Sequence, residues 1–229
     1  MMARMATPEE RLTIVVPDAT AVSGVYARPA VADASIVVAH GAGAGMDHPF
    51  MVGFTRAMNG LDVATLRFNF PYMEAGRRST DRAPVAVAAW RAAFAAAAAR
   101  AAEGEPVWAS GKSFGGRMAS MAVAEGLPAA GLVFLGYPLH PPGKPERARD
   151  EHLYGIQVPM LFLRGTRDPF ASTEVLEPVL AKLGPRATYH EVEGGGHSFE
   201  VRGRKGDPRE TGAALAPIVA DFMRAQVGT

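Results

Sequence analysis

Cysteine is absent from the 229 residues. That absence excludes disulfides, thiolate nucleophiles and cysteine-ligated zinc or iron–sulfur centres together. Charge imbalance is missing as well: 24 basic and 23 acidic residues leave a formal net charge of +1. Such a chain offers no concentrated basic footprint, so no nucleic-acid partner is expected. Its basic residues gather only in short groups such as Arg202, Arg204 and Lys205, which read as a solvated loop. Long apolar runs are lacking too. The longest, Pro84 to Ala102, is mostly alanine and is interrupted by Arg91 and Arg100, which argues against a membrane span. Met1 to Arg11 is charged and has no apolar centre of the kind a secretory signal needs. The expectation is a cytoplasmic protein with no membrane contact.

What is present is apolar content of 48%, enough for one substantial core, and a length that fits a single domain over residues 1–229. Two β-prone stretches, Leu12–Val16 and Val22–Ala27, predict a strand pair near a sheet edge. Ser35–Ala39 and Val63–Phe68 read as strands, the first almost wholly apolar and so buried on both faces. Between them a helix begins near Asp47 or His48. After an aromatic loop comes an alanine-rich helix from Pro84 to about Glu103, with proline suited to its first turn. The alternation continues through strands at Val107–Ser110, Gly131–Leu135, Pro159–Leu163 and Thr188–Val192. Helices are expected at Phe114–Glu125, Thr173–Leu183 and a closing segment bearing Leu215, Ile218, Val219, Phe222 and Met223 on one face. This order predicts a mainly parallel sheet covered by helices on both faces, with ligands bound beyond the carboxyl ends of the strands. Gly136–Gln157, with four prolines, breaks the rhythm. It is too short for a cap domain, although a short helix around Glu146–Leu153 would fit.

Gly111-Lys112-Ser113-Phe114-Gly115 matches G-x-S-x-G between a strand and a helix. That context presents a serine on a sharp turn, with helix amides aimed at developing negative charge. Two nucleotide-binding readings fail at defined residues. A P-loop needs glycine where Pro106 stands, and a dinucleotide fingerprint in Gly41-Ala42-Gly43-Ala44-Gly45 needs its third glycine where Met46 stands. His197 follows three glycines after the last strand, and Asp168 follows the strand ending near Leu163. Ser113, Asp168 and His197 thus occur in serine–acid–histidine order, with Asp150 and Glu193 as weaker alternatives for the acid. Phe114 and Ala42 are the expected backbone oxyanion donors, with Gly43 as the near alternative to Ala42. His40 reads as a structural hydrogen-bonding residue. His40 and His48 lack the helical spacing of metal ligands, so neither metal nor cofactor is expected.

The motifs Arg67-Phe68-Asn69-Phe70-Pro71-Tyr72, Gly136-Tyr137-Pro138-Leu139-His140-Pro141-Pro142-Gly143-Lys144-Pro145 and Gly165-Thr166-Arg167-Asp168-Pro169-Phe170 accompany the elbow. With them the chain resembles the α/β-hydrolase family, in particular its small, lidless, dienelactone-hydrolase-like serine hydrolases. The resemblance implies an α/β-hydrolase fold without a cap domain and acyl transfer from a small ester or related substrate to water. A catalytically silent binding or scaffold protein on the same fold is the alternative class. Expected pocket walls are Met46, Phe70, Tyr72, Phe114, Tyr137 and Phe170. Lys112 could meet an anionic substrate or serve a purely structural role.

Overall fold

The computed structural model describes residues 6–141, 143–201, 203 and 206–227. The proposed solvated loop at Arg202, Arg204 and Lys205 lies outside the described residues. Eight strands form one sheet: β1 (Glu9–Ile14), β2 (Val22–Ala27), β3 (Ala34–Ala39), β4 (Val63–Phe68), β5 (Val107–Lys112), β6 (Leu132–Leu135), β7 (Met160–Gly165) and β8 (Ala187–Val192). Their spatial order is β1-β2-β4-β3-β5-β6-β7-β8. β1 pairs antiparallel with β2, and β2 antiparallel with β4; the remaining pairs are parallel. The expected edge pair is therefore present, shifted towards the N-terminus for β1.

The helices are α1 (Pro49–Gly60), α2 (Pro71–Glu74), α3 (Ala83–Ala98), α4 (Phe114–Ala124), α5 (Thr173–Leu183), α6 (Pro208–Ala213) and α7 (Ala216–Val227). Strand alternation sorts the core into two layers. Val37 and Ala39 of β3, Phe134 of β6 and Phe162 of β7 face one layer with Trp90, Phe94, Met118 and Leu176 of α3, α4 and α5. Ile36, Val38, Val133 and Leu161 face the other, with Phe54 and Met58 of α1 and Val219 and Met223 of α7. In α3 the small side chains of Ala86, Ala89, Ala93 and Ala97 are buried, so this helix seats closely on the sheet. Its Trp90 indole donates to the Gly115 carbonyl at 3.1 Å, tying it to the start of α4.

Two elements differ from expectation. The short α6 begins within Gly203–Glu210, which reads from the sequence as a spare segment outside the core strands and helices. It crosses α1 so closely that a Cβ on Gly53 would lie 1.9 Å from the Arg209 carbonyl oxygen, and one on Gly212 would lie 2.2 Å from that of Phe50. Within 136–157 the helical turn is a 3-10 turn at Glu151–Gly155, not a helix over Glu146–Leu153. That segment is braced internally, since Arg149 donates its N–H to the Leu139 carbonyl and the buried Tyr137 hydroxyl donates to the Arg149 carbonyl, each at 2.8 Å. It is pinned to the body by Ser120 Oγ, 2.8 Å from His152 Nε2, and by Arg186, which donates to the Tyr154 carbonyl at 3.2 Å. Among the described residues, no helix is long and apolar enough to cross a membrane.

Candidate active site

β5 ends at Lys112 and α4 begins at Phe114, leaving Ser113 alone to make the turn. It does so at φ 49° and ψ −114°, a backbone conformation rarely adopted by a residue with a side chain. The turn closes because its neighbours are glycines. A Cβ on Gly111 would lie 2.4 Å from the Gly116 nitrogen, and one on Gly115 would lie 2.5 Å from the Ala39 carbonyl oxygen. The Ser113 N–H also donates to the Leu135 carbonyl of the neighbouring strand at 3.2 Å.

Two further strand-end loops meet this turn. The loops after β7 and β8 interlock at glycine, since a Cβ on Gly165 would lie 2.2 Å from the Gly195 carbonyl oxygen. Arg167 donates its N–H to that same carbonyl at 2.9 Å. These contacts bring His197 Nδ1 to 2.8 Å from Asp168 Oδ2, and His197 Nε2 to 2.8 Å from Ser113 Oγ. Asp168 is 2% exposed, and its second oxygen accepts the Phe170 N–H at 2.9 Å. The Phe170 ring packs against the imidazole, with ring centroids 4.4 Å apart. The alternative acids lie elsewhere: Asp150 accepts from the Tyr154 hydroxyl, and Glu193 is exposed.

The loop after β3 lies alongside, where a Cβ on Gly41 would be 3.8 Å from that of Ser113. Among the described residues the N–H groups of Ala42 and Phe114 donate to no protein acceptor. Gly43 departs from expectation. Its N–H donates to the Tyr72 hydroxyl at 3.0 Å, so it is already committed and Ala42 is the free donor. His40 sits fully buried beneath this loop. One ring nitrogen bonds the Gly41 carbonyl at 2.7 Å, and Nε2 accepts the Phe70 N–H at 3.2 Å. Burial holds its pKa down at about 4, despite the opposing Gly41 hydrogen bond, so the ring is a neutral structural strut.

These loops enclose a cleft of ≈ 760 Å³ lined in part by Ala42, Ser113, Phe114, Phe170 and His197. Four expected wall residues lie behind it instead. Met46, Phe70, Tyr72 and Tyr137 are all buried and none lines the cleft. Phe70 and Tyr72 pack edge-on against His40 and Phe114, forming a support layer under the loop after β3. Tyr137 packs on Phe134 and Phe162 and holds the Arg149 backbone. The actual walls are more polar: Thr80, Asp81, Lys112, Arg117 and Arg149 face the same cleft. Arg117 was legible, since it falls one helical turn after Ser113 on the expected helix. Arg149 lies in the irregular segment, where spacing carries no information. Lys112 donates to the His197 carbonyl at 3.4 Å, and burial lowers its pKa to about 8 against the opposing charges of Asp168 and Glu200.

A strained serine between a parallel strand and a helix, with histidine and aspartate from later strand ends, defines the α/β-hydrolase class. The Alpha/beta hydrolase domain family model matches residues 32–224. The chain belongs to the α/β-hydrolase family. A dienelactone hydrolase from Anabaena variabilis superposes with a TM-score of 0.74 at 19% identity, covering 96% of this chain and 99% of that one. An α/β serine hydrolase without a lid from Xanthomonas campestris gives 0.71 at 18% identity, covering 99% and 96%. An α/β serine hydrolase homologue from Coxiella burnetii gives 0.72 at 16% identity, covering 96% and 99%.

Proposed function

We propose that the protein is a serine hydrolase that cleaves a small ester or related acyl substrate, using Ser113, His197 and Asp168 as a catalytic triad. The observation that carries this reading is the continuous chain from Asp168 Oδ2 through both His197 nitrogens to Ser113 Oγ, each link 2.8 Å. Ser113 Oγ attacks the substrate carbonyl carbon while His197 Nε2 takes its proton. The buried Asp168 carboxylate holds Nδ1–H in place and stabilises the imidazolium as it forms. The N–H groups of Ala42 and Phe114 donate to the oxyanion, at the amino end of α4 where the helix field favours negative charge. His197 then protonates the leaving group, and the same imidazole activates the water that releases the acyl group from Ser113.

Turnover of nitrophenyl butyrate tests this reading. Asp168→Asn should lose turnover by on the order of 10⁴-fold while remaining folded, because the imidazole loses its orientation and its stabilising charge. Ser113→Ala should lose at least as much. A folded wild-type protein that turned over no ester, thioester or amide would instead favour a binding protein on a hydrolase fold.

A further inference from the structure

The polar wall of the cleft carries more positive charge than the proposed triad uses. Lys112, Arg117 and Arg149 all line it, and among the described residues Asp81 is the only carboxylate that lines it with them. Asp81 is already committed: one oxygen accepts the Tyr72 N–H at 2.9 Å, and the other accepts from Arg77 at 2.6 Å. Lys112 is turned to the His197 carbonyl. The fully buried arginines elsewhere have carboxylate partners, Glu9 and Asp47 for Arg67 and Glu191 for Arg164. Among the described residues, Arg117 and Arg149 form no ion pair, and Arg117 Nε is buried without a hydrogen-bond partner.

The backbones that carry the two guanidiniums are also held in place. The Arg149 backbone is fixed at both ends, its N–H by Leu139 and its carbonyl by the Tyr137 hydroxyl. The buried Ser120 hydroxyl donates to the Arg117 carbonyl at 2.8 Å, and Ser120 Oγ lies 2.8 Å from His152 Nε2. Burial and the Arg117 charge push the His152 pKa down to about 4, so this ring adds no further cation at neutral pH. Burial lowers the Arg149 pKa, and the Arg117 charge lowers it further. Two like charges placed together beside a nucleophile, on fixed backbone and without a counter-ion, form a preorganised anion receptor.

We propose that the cleft takes an acyl ester bearing a carboxylate, gripped by Arg117 and Arg149 while Ser113 attacks the ester carbonyl. This rests on the serine-hydrolase reading. Arg117 follows Ser113 by one turn of α4, its N–H donating to the Ser113 carbonyl at 3.0 Å, so their Cα atoms lie on the order of 6 Å apart and both residues line one cleft. A short dicarboxylic half-ester such as a hemiglutarate places an ester and a carboxylate within one such cleft.

The test compares nitrophenyl hemiglutarate with nitrophenyl methyl glutarate, and adds calorimetry of monomethyl glutarate with Ser113→Ala protein. The anionic ester should have the higher kcat/KM by on the order of 10- to 100-fold, the range that one charge-assisted hydrogen bond supplies. Arg149→Met and Arg117→Met should each lower that ratio at least about fivefold, a fraction of that range, whereas Arg147→Met, an exposed change on the same segment, should leave it unchanged. If one of the two variants folds poorly, the other carries the test. Turnover of both esters at equal rates would overturn the anion site and leave the hydrolase reading standing. Binding of the half-ester without turnover of either ester would do the reverse. Neither binding nor turnover would overturn both, and an unchanged ratio in both arginine variants would remove the assignment to Arg117 and Arg149.

Discussion

His40 supplies a stability prediction whose size follows from its surroundings. The ring is 0% exposed, with one nitrogen bonded to the Gly41 carbonyl and Nε2 accepting the Phe70 N–H. A proton added at Nε2 would face that N–H with another donor, in a place water cannot reach. Its pKa of about 4 in the folded protein lies below the 6.5 of a free imidazole. The unfolded chain therefore binds more protons between those two values. Stability from neutral His40 is fully present above pH 6.5 and is lost as pH falls towards 4. Linkage puts the loss at about 2–3 kcal/mol by pH 4.5. Urea unfolding of wild type and His40→Gln at pH 7 and pH 4.5 isolates this contribution, because His152, also held at about 4, is common to both proteins. The stability gap between them should shrink by about 2–3 kcal/mol on acidification. A gap that stays constant across that range would refute the buried, neutral assignment.

Gly115→Ala should destabilise the protein by about 1–3 kcal/mol through overpacking, since its Cβ would sit 2.5 Å from one backbone oxygen and 2.6 Å from another. An unchanged urea midpoint would show that the elbow has slack. Among neutral nitrophenyl esters of two to twelve carbons, kcat/KM should peak at or below about four carbons, because Gly136–Gln157 is a pinned wall; each further buried methylene would otherwise add about 0.8 kcal/mol. A continued rise beyond eight carbons would reveal an apolar groove.

The strands and the serine, histidine and aspartate cluster were legible because their signals are local. Apolar runs such as Ser35–Ala39 fix buried strands, and the strained elbow needs glycines at named positions. The order Ser113, Asp168, His197 then places the three residues beyond the ends of β5, β7 and β8 of a parallel sheet. The cleft wall was less legible, for a physical reason. An aromatic residue near a strand end has the same sequence signature whether it lines the cleft, as Phe114 and Phe170 do, or supports the lining residue from behind, as Phe70 and Tyr72 do. Gly43 shows the same limit: only the fold reveals that the Tyr72 hydroxyl has taken its N–H. The polar stretch around Pro208–Ala213 gave no helical periodicity, although Gly212 was a signal of close approach to α1.

Reactivity at Ser113 tests the central claim most directly. The folded protein is treated with a fluorophosphonate probe and the modified peptide is mapped by mass spectrometry. The account predicts one adduct, on Ser113, abolished by Ser113→Ala and strongly slowed by His197→Ala. Labelling at another serine, or no labelling of the folded protein, would contradict it.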